Sequence, residues 1–228
     1  IVASGAVVPM GAPGQVAWIS MILVLPAVRG QGLGRAVFGH CLREVQADGR
    51  VAMLDATPAG EALYRQLGFE SLWRLTRWRR EARAAATDWA MDEGASAIET
   101  LVQLDGQALG FERASVIGQV ARRPSTRCLR TGDAWAVVRA GRTARQVGPL
   151  LAATEDAAAR ALAQVADAIA DPIYIDVPDD RPLMRATLQA AGFEPQRGFA
   201  RMALAPAGKV PPAGQAAFLH AIAGPEFA

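Results

Sequence analysis

Lysine occurs once in this chain, at Lys209, so nearly all of its positive charge is carried by arginine. The net charge is only +2 over 228 residues, and bulk electrostatics therefore gives no reason to expect a nucleic-acid partner. Cysteine occurs only twice: Cys41 and Cys128 cannot build a disulfide framework, and a reducing, cytoplasmic setting is the simpler expectation. The two histidines, His40 and His220, lie far apart with no Cys/His cluster near either, which argues against a zinc site, and no metal is expected. The longest apolar run, "VAWISMILVLPAV", is about 13 residues, short of the roughly 20 that span a bilayer, and reads as a buried strand. With 51% hydrophobic and 20% charged residues the composition is that of a globular protein of one large or two small domains.

What is present is a glycine pattern. In "VLPAVRGQGLGR" an apolar run ends at Pro26, and Gly30, Gly32 and Gly34 follow at every second position between Arg29 and Arg35. Glycine permits positive φ and close approach to the backbone. A glycine turn that enters a helix aims free N–H groups and the positive end of the helix dipole at one point, which suits a phosphate. The stretch "RAVFGHCLREV" fits that helix, with Val37, Cys41, Leu42 and Val45 on one face. An ordinary strand-to-helix turn reads equally well from spacing alone. The loop is neither a Walker loop, since no Gly-Lys-Ser/Thr closes it, nor the dinucleotide G-x-G-x-x-G, since the third glycine comes one residue early.

Around the loop the chain reads as a repeat. "IVASGAVVPM" and "QVAWISMILVL" predict a hairpin across "GAPG"; a helix over about Leu33 to Ala47 follows, then the strand "RVAMLDAT", a helix ending at Gly68, and the strand-like "SLWRLTRWRRE". The second half gives "AWAVVRAG" and "RQVGPLLA", a helix with Thr154 as N-cap, the strand "PIYIDVP", a helix ending in Gly192-Phe193-Glu194, and "FARMALA". Gly68-Phe69-Glu70 closes the matching helix of the first half. Before its hairpin the second half carries "ETLVQLDGQALGFERASVIGQVARR", read as a strand and one or two helices, and the strand "RCLRTG". Ile1 opens on a strand already under way, so the first half is expected to lack an equivalent strand-helix-strand front. The expected divisions are residues 1–80, a linker over 81–97, residues 98–206 and a tail over 207–228.

These residues resemble a known family. "ILVLPAVRGQGLGR" is similar to the acyl-CoA-binding motif of the GNAT superfamily of N-acyltransferases, Arg/Gln-x-x-Gly-x-Gly/Ala, met here by Arg29, Gly32 and Gly34. "EALYRQLGF" resembles the second GNAT signature, a tyrosine four residues before Gly-Phe, here Tyr64 before Gly68. The second half looks like the C-terminal half of tandem-GNAT bacterial proteins. It has one glycine and no arginine in "VGPLLAATEDAA", and Leu188 replaces the tyrosine, so it is expected to keep the fold without the cofactor site. The implied fold is α/β (α+β), two tandem GNAT-like mixed sheets flanked by helices.

The resemblance implies transfer of an acetyl group from acetyl-CoA to an amine by direct attack. Pantetheine is expected beside residues 18–25, on the backbone of Leu23 and Val24, where the family carries a bulge that splays this strand from Leu54–Ala56. The amides of Arg29, Gly30, Gln31, Gly32, Leu33, Gly34 and Arg35 would hold the pyrophosphate, and Tyr64 would protonate the departing thiolate. Asp55 is a candidate base or a turn cap. Thr57 stands where many relatives carry asparagine. "RLTRWRRE" reads as an edge strand with a solvated face more than as a nucleic-acid surface. Asp176, Asp179 and Asp180 read as exposed carboxylates able to draw a cationic amine. The expected partners are a small-molecule amine acceptor bound between the halves, no nucleic acid and no membrane, with a homodimer left open. The competing class is a non-catalytic acyl-CoA-binding or regulatory module.

Overall fold

A computed structural model of the chain describes residues 1–12, 14–84 and 95–228. In chain order the elements are β1 (Ala3–Met10), β2 (Val16–Val24), α1 (Leu33–Ala47), β3 (Val51–Ala56), α2 (Pro58–Gln66) and β4 (Glu70–Arg80). Then come α3 (Ala95–Leu109), α4 (Ala114–Ala121), β5 (Arg127–Thr131), β6 (Ala134–Ala140) and β7 (Arg145–Ala152). The last are α5 (Glu155–Ala168), β8 (Ile173–Pro178), α6 (Pro182–Ala190), β9 (Glu194–Leu204) and β10 (Leu219–Ala221). Most of the expected linker lies outside the described residues.

Two compact units form, and neither is one half of the sequence. The first comprises Ile1–Trp73, Ala200–Pro212 and Pro225–Ala228; the second comprises Arg74–Phe199 and Ala213–Gly224. The reason is an exchange of strands. In the first unit β3 pairs antiparallel with residues of β9, from Ala52 opposite Leu204 to Ala56 opposite Ala200. In the second unit β8 pairs antiparallel with β4, from Leu75 opposite Pro178 to Arg80 opposite Ile173. Each unit thus completes its sheet with residues from the last strand of the other half of the sequence.

In the first unit the β1–β2 hairpin is antiparallel and β2 runs parallel to β3. Ala17 and Ile19 of β2, Ala52 and Leu54 of β3 and Ala200 and Met202 of β9 point to one face, which α1 covers with Phe38, Cys41, Leu42 and Val45. Phe38 takes the buried place expected of Val37, which is only partly covered. Lys209, in the segment read as tail, donates through Nζ to the carbonyls of Gly14 (2.7 Å) and Gly49 (2.6 Å), so the one lysine clips two turns together.

The Gly-Phe repeat has a specific backbone cause. After α2 the N–H of Phe69 donates to Tyr64 and that of Gly68 to Arg65; after α6 the N–H of Phe193 donates to Leu188 and that of Gly192 to Gln189. Both are Schellman closures, with the glycine at φ +90° and +80° respectively, and the phenylalanine that follows is buried.

In the second unit β5, β6 and β7 are antiparallel neighbours and β7 runs parallel to β8. The core gathers Val138, Leu150, Leu162, Val165, Ile173, Ile175, Met184, Leu188 and Phe193. Thr154 caps α5 as expected, its Oγ1 accepting from the Ala157 N–H at 3.2 Å. One expectation fails: "ETLVQLD" is not a strand but part of α3. Leu101, Asp105, Ala108 and Leu109 are its buried positions, a helical spacing, and Asp105 is held by a two-pronged pair to Arg113 at 2.7 Å. The extra front of the second half is therefore helix-helix-strand.

Candidate active site

The glycine loop leaves β2 at Val24, makes a short 3-10 turn over Pro26–Val28 and enters α1 through Gly32, its N-cap. Gly30 and Gly32 lie at φ +79° and +77°, while Gly34 does not have a positive φ. A Cβ at Gly30 or Gly32 would meet nothing within 4 Å. Backbone conformation, not crowding, explains these two glycines, since the left-handed region costs other residues about 1–2 kcal/mol. No side chain caps α1. Its first intrahelical bond is Ala36 N–H to Gly32 O, so the preceding amides of the turn have no intrahelical partner. Arg29 donates through Nε back to the Val24 carbonyl (3.1 Å), and Arg35 reaches Gln66 Oε1 at 3.5 Å. Gln31 is exposed and Leu33 half-buried beside them.

Directly before this loop β2 is irregular. Ser4 opposes Leu23 but Ala6 opposes Ser20, so two residues, Met21 and Ile22, face Gly5 alone. Met21 takes up the bulge at φ +54°, a strained value for a non-glycine residue. Gly5 makes room: a Cβ there would stand 2.7 Å from Ile22 Cδ1, 2.8 Å from Val37 Cγ1 and 2.9 Å from Cys41 Sγ. The β2–β3 ladder stops at Trp18 opposite Met53, and Ile19–Val24 separates from Leu54–Ala56. This is the opening that the resemblance implied. Leu23 is more than half exposed along it.

Tyr64 stands on α2 with its ring against Phe38 (centroids 4.7 Å apart) and Phe69 (6.0 Å). Gly60 accommodates it, since a Cβ there would lie 3.0 Å from Tyr64 Cε2. Burial pushes the Tyr64 phenol above its ordinary value of 10, so the group holds its proton at neutral pH. Thr57 is the N-cap of α2, but its side chain makes no capping bond.

Asp55 is neither a free base nor a turn cap. Both of its oxygens accept from Arg201, Oδ1 from Nε and Oδ2 from Nη2, each at 2.9 Å. The two side chains are almost wholly buried, and the Arg201 guanidinium lies between the Trp18 ring at 4.8 Å and the Trp73 ring at 4.4 Å. A buried charge persists only where it is paired and its hydrogen bonds are met, as here. Sequence reasoning missed Arg201, because the strand that carries it belongs to the other half of the chain.

The counterpart elements of the second unit differ. The α5 N-terminus is capped by Thr154 and carries Glu155 and Asp156 in its first turn; Glu155 Oε1 accepts the Met184 N–H at 3.0 Å. Leu188, in place of Tyr64, is fully buried core. Of the three aspartates Asp179 and Asp180 are exposed as expected, Asp179 accepting from Thr76 at 2.7 Å and Asp180 pairing with Arg181 at 2.7 Å, but Asp176 is buried, accepting from Arg77 through two bonds of 2.8 Å and from Gln146 at 2.9 Å. Nor is "RLTRWRRE" an edge strand, since β4 has β8 on one side and β9 on the other, and Leu75, Trp78 and Arg80 are buried. Among the described residues no group of three or more His, Cys, Asp or Glu could hold a metal, and no helix is long and apolar enough to cross a membrane.

An acetyltransferase (GNAT) domain family matches residues 1–71, and a second acetyltransferase (GNAT) domain family matches residues 101–213. No curated protein sequence matches the chain. Among solved structures, one described as a putative acetyltransferase from Pyrococcus horikoshii superimposes with a TM-score of 0.78 at 21% identity, over 97% of this chain and 75% of that one. A GCN5-related N-acetyltransferase from Kribbella flavida gives 0.54 at 19% identity, over 89% and 56%. A tandem GNAT protein from the clavulanic acid biosynthesis pathway gives 0.55 at 16% identity, over 89% and 78%. At these identities the likeness is one of fold. The two family matches go further: the chain belongs to the GNAT acetyltransferases and carries two of their domains in tandem.

Proposed function

We propose that the first unit is an N-acetyltransferase that uses acetyl-CoA as donor and a small-molecule amine as acceptor. The observation that carries this reading is the bulge at Met21 and the opening of β2 from β3, next to a glycine loop with two positive-φ residues at the N-terminus of α1. The acyl donor supplies a thioester, whose carbonyl is the electrophile. Everything else is work for the chain.

The residues present fit such a donor. The backbone of Leu23 and Val24, beyond the bulge, offers a strand edge to the amides of a pantetheine arm. The backbone from Gly30 through Gln31, Gly32, Leu33 and Gly34 to Arg35 offers amides and the positive end of the α1 dipole to the pyrophosphate, while the Arg29 N–H already donates to the Pro26 carbonyl at 3.3 Å and leaves that residue its side chain. A strand edge that is not hydrogen-bonded to its neighbour can present an N–H to a carbonyl gaining negative charge. Tyr64 holds its proton at neutral pH, its phenol raised by burial above the ordinary 10, and can give that proton to a leaving thiolate, whose thiol ordinarily lies near 8.5. Its packing against Phe38 and Phe69 fixes the ring on α2.

The experiment is thiol release from acetyl-CoA against a panel of small amines. Release that depends on an amine supports the reading. Cofactor binding with no release for any amine supports the acyl-CoA-binding module in its place.

A further inference from the structure

The second unit repeats the parallel strand pair and its opening, and a strand of the chain lies in that opening. β7 and β8 pair in parallel only over Arg145–Val147 and Ile173–Ile175, although β7 continues to Ala152 and β8 to Pro178. Where they part, β10 pairs antiparallel with β7 at Leu150 and Leu151. On the other side the Ile222 N–H donates to the Asp176 carbonyl of β8 at 3.0 Å. One extended segment therefore bonds to the backbones of both diverging strands.

The surroundings are built for backbone. Arg181 donates to the carbonyls of Leu219 (3.3 Å) and Ala216 (2.6 Å), and Arg139 donates to that of Ala223 (3.0 Å). The His220 side chain reaches back from the segment to the Ala152 carbonyl of β7 at 3.2 Å. Residues 219–223 are each 2% exposed or less. Gly148 of β7 lies at φ +142°, and any Cβ there would overlap the Ile222 carbonyl oxygen. Its glycine is thus explained by a strand passing over it. An extended peptide adding to an open sheet edge gains affinity from main-chain bonds and selectivity from the side chains beside them.

We propose that the cleft between β7 and β8 is a receptor for an extended peptide strand whose side chains are small or aliphatic apart from one histidine. Its ligand is this chain's own segment 219–223, and the cleft for that reason takes no acyl-CoA. Only the last clause rests on the reading of the first unit as an acyl-CoA site.

Three measurements on the full chain test it. In the wild type, amide exchange at Ile222 should be slowed by at least about a hundredfold relative to the exposed backbone near Lys209. Exchange as fast as that backbone overturns the proposal, whether or not any variant folds. Ile222→Pro removes the bond to Asp176 and should release the strand. A fluorescein-labelled peptide of residues 216–224 should then bind that variant at least about tenfold more tightly than it binds the wild type, whose cleft is filled. Equal binding to both, or binding to neither once the variant's segment exchanges freely, overturns it. The wild type should bind one equivalent of coenzyme A; two equivalents, one of which survives Gly32→Val, place a cofactor in the second unit and overturn the exclusion. If the wild type binds none at all, the functional reading of the first unit fails, while the exchange and peptide results still decide this proposal.

Discussion

Arg201→Leu should be among the most damaging single changes outside the glycine loop. It leaves the Asp55 carboxylate buried with neither of its 2.9 Å bonds and empties the space between the Trp18 and Trp73 rings. Breaking a buried pair by removing one partner costs about 3–5 kcal/mol, most of it the penalty of a charge left without compensation. Lost cation–π contact adds to this by roughly 0.5–2 kcal/mol. For a chain of this size 1 kcal/mol moves Tm by about 2–4 °C, so a fall on the order of 10 °C is expected by calorimetry. The cause is separable from lost packing. Asp55→Leu with Arg201→Leu removes both charges and should recover a large part of the loss, because replacing a buried pair by apolar groups is often neutral. An unchanged Tm in Arg201→Leu, or a double variant as unstable as the sum of the two singles, refutes the argument.

Three further outcomes follow from the same structure. A fragment of residues 1–80 lacks the strand that pairs with β3, and should be unfolded by circular dichroism until residues 95–228 are supplied in trans. Tyr64→Phe keeps the ring against Phe38 and Phe69 but removes the proton, so turnover should fall by about 10²–10⁴-fold with acetyl-CoA affinity unchanged. In the wild type the alkaline limb of the pH–rate profile should lie above pH 10, since burial raises the phenol. The His220 imidazole is held below its ordinary 6.5, by burial first and then by Arg181, against the opposing pull of its bond to the Ala152 carbonyl and of Glu155 and Asp180. The unfolded chain then takes up a proton that the folded chain refuses as the pH falls through about 6.5, so stability drops on acidification. His220→Gln should flatten this part of the Tm–pH curve.

Much of the first unit can be read in its residues because its signals are local. The positive φ of Gly30 and Gly32, the helix over Leu33–Ala47 and the Schellman glycines Gly68 and Gly192 all follow from short windows. The bulge at Met21 cannot be read from a short window, as a methionine at positive φ has no sequence signature; only the family resemblance points to a bulge in this strand, and Gly5, opposite it, means nothing until the register is known. Arg201 and Asp176 were illegible for a different reason. Each ion pair joins residues far apart in sequence, 146 positions for Asp55–Arg201 and 99 for Arg77–Asp176, and depends on which strands pair. Periodicity within a strand cannot say that β4 and β9 complete each other's units. "TLVQL" carries the apolar density of a strand, and only the burial of Leu101, Asp105 and Ala108 shows the helical period of α3.

The most direct test of the central claim, that the first unit alone carries an acyl-CoA site, is calorimetric titration of the full chain with coenzyme A. The account predicts one equivalent in the wild type and a loss of binding in Gly32→Val, where a side chain enters a left-handed position at φ +77° within the proposed pyrophosphate cradle. Two equivalents, no binding in the wild type, or unchanged affinity in Gly32→Val would contradict it.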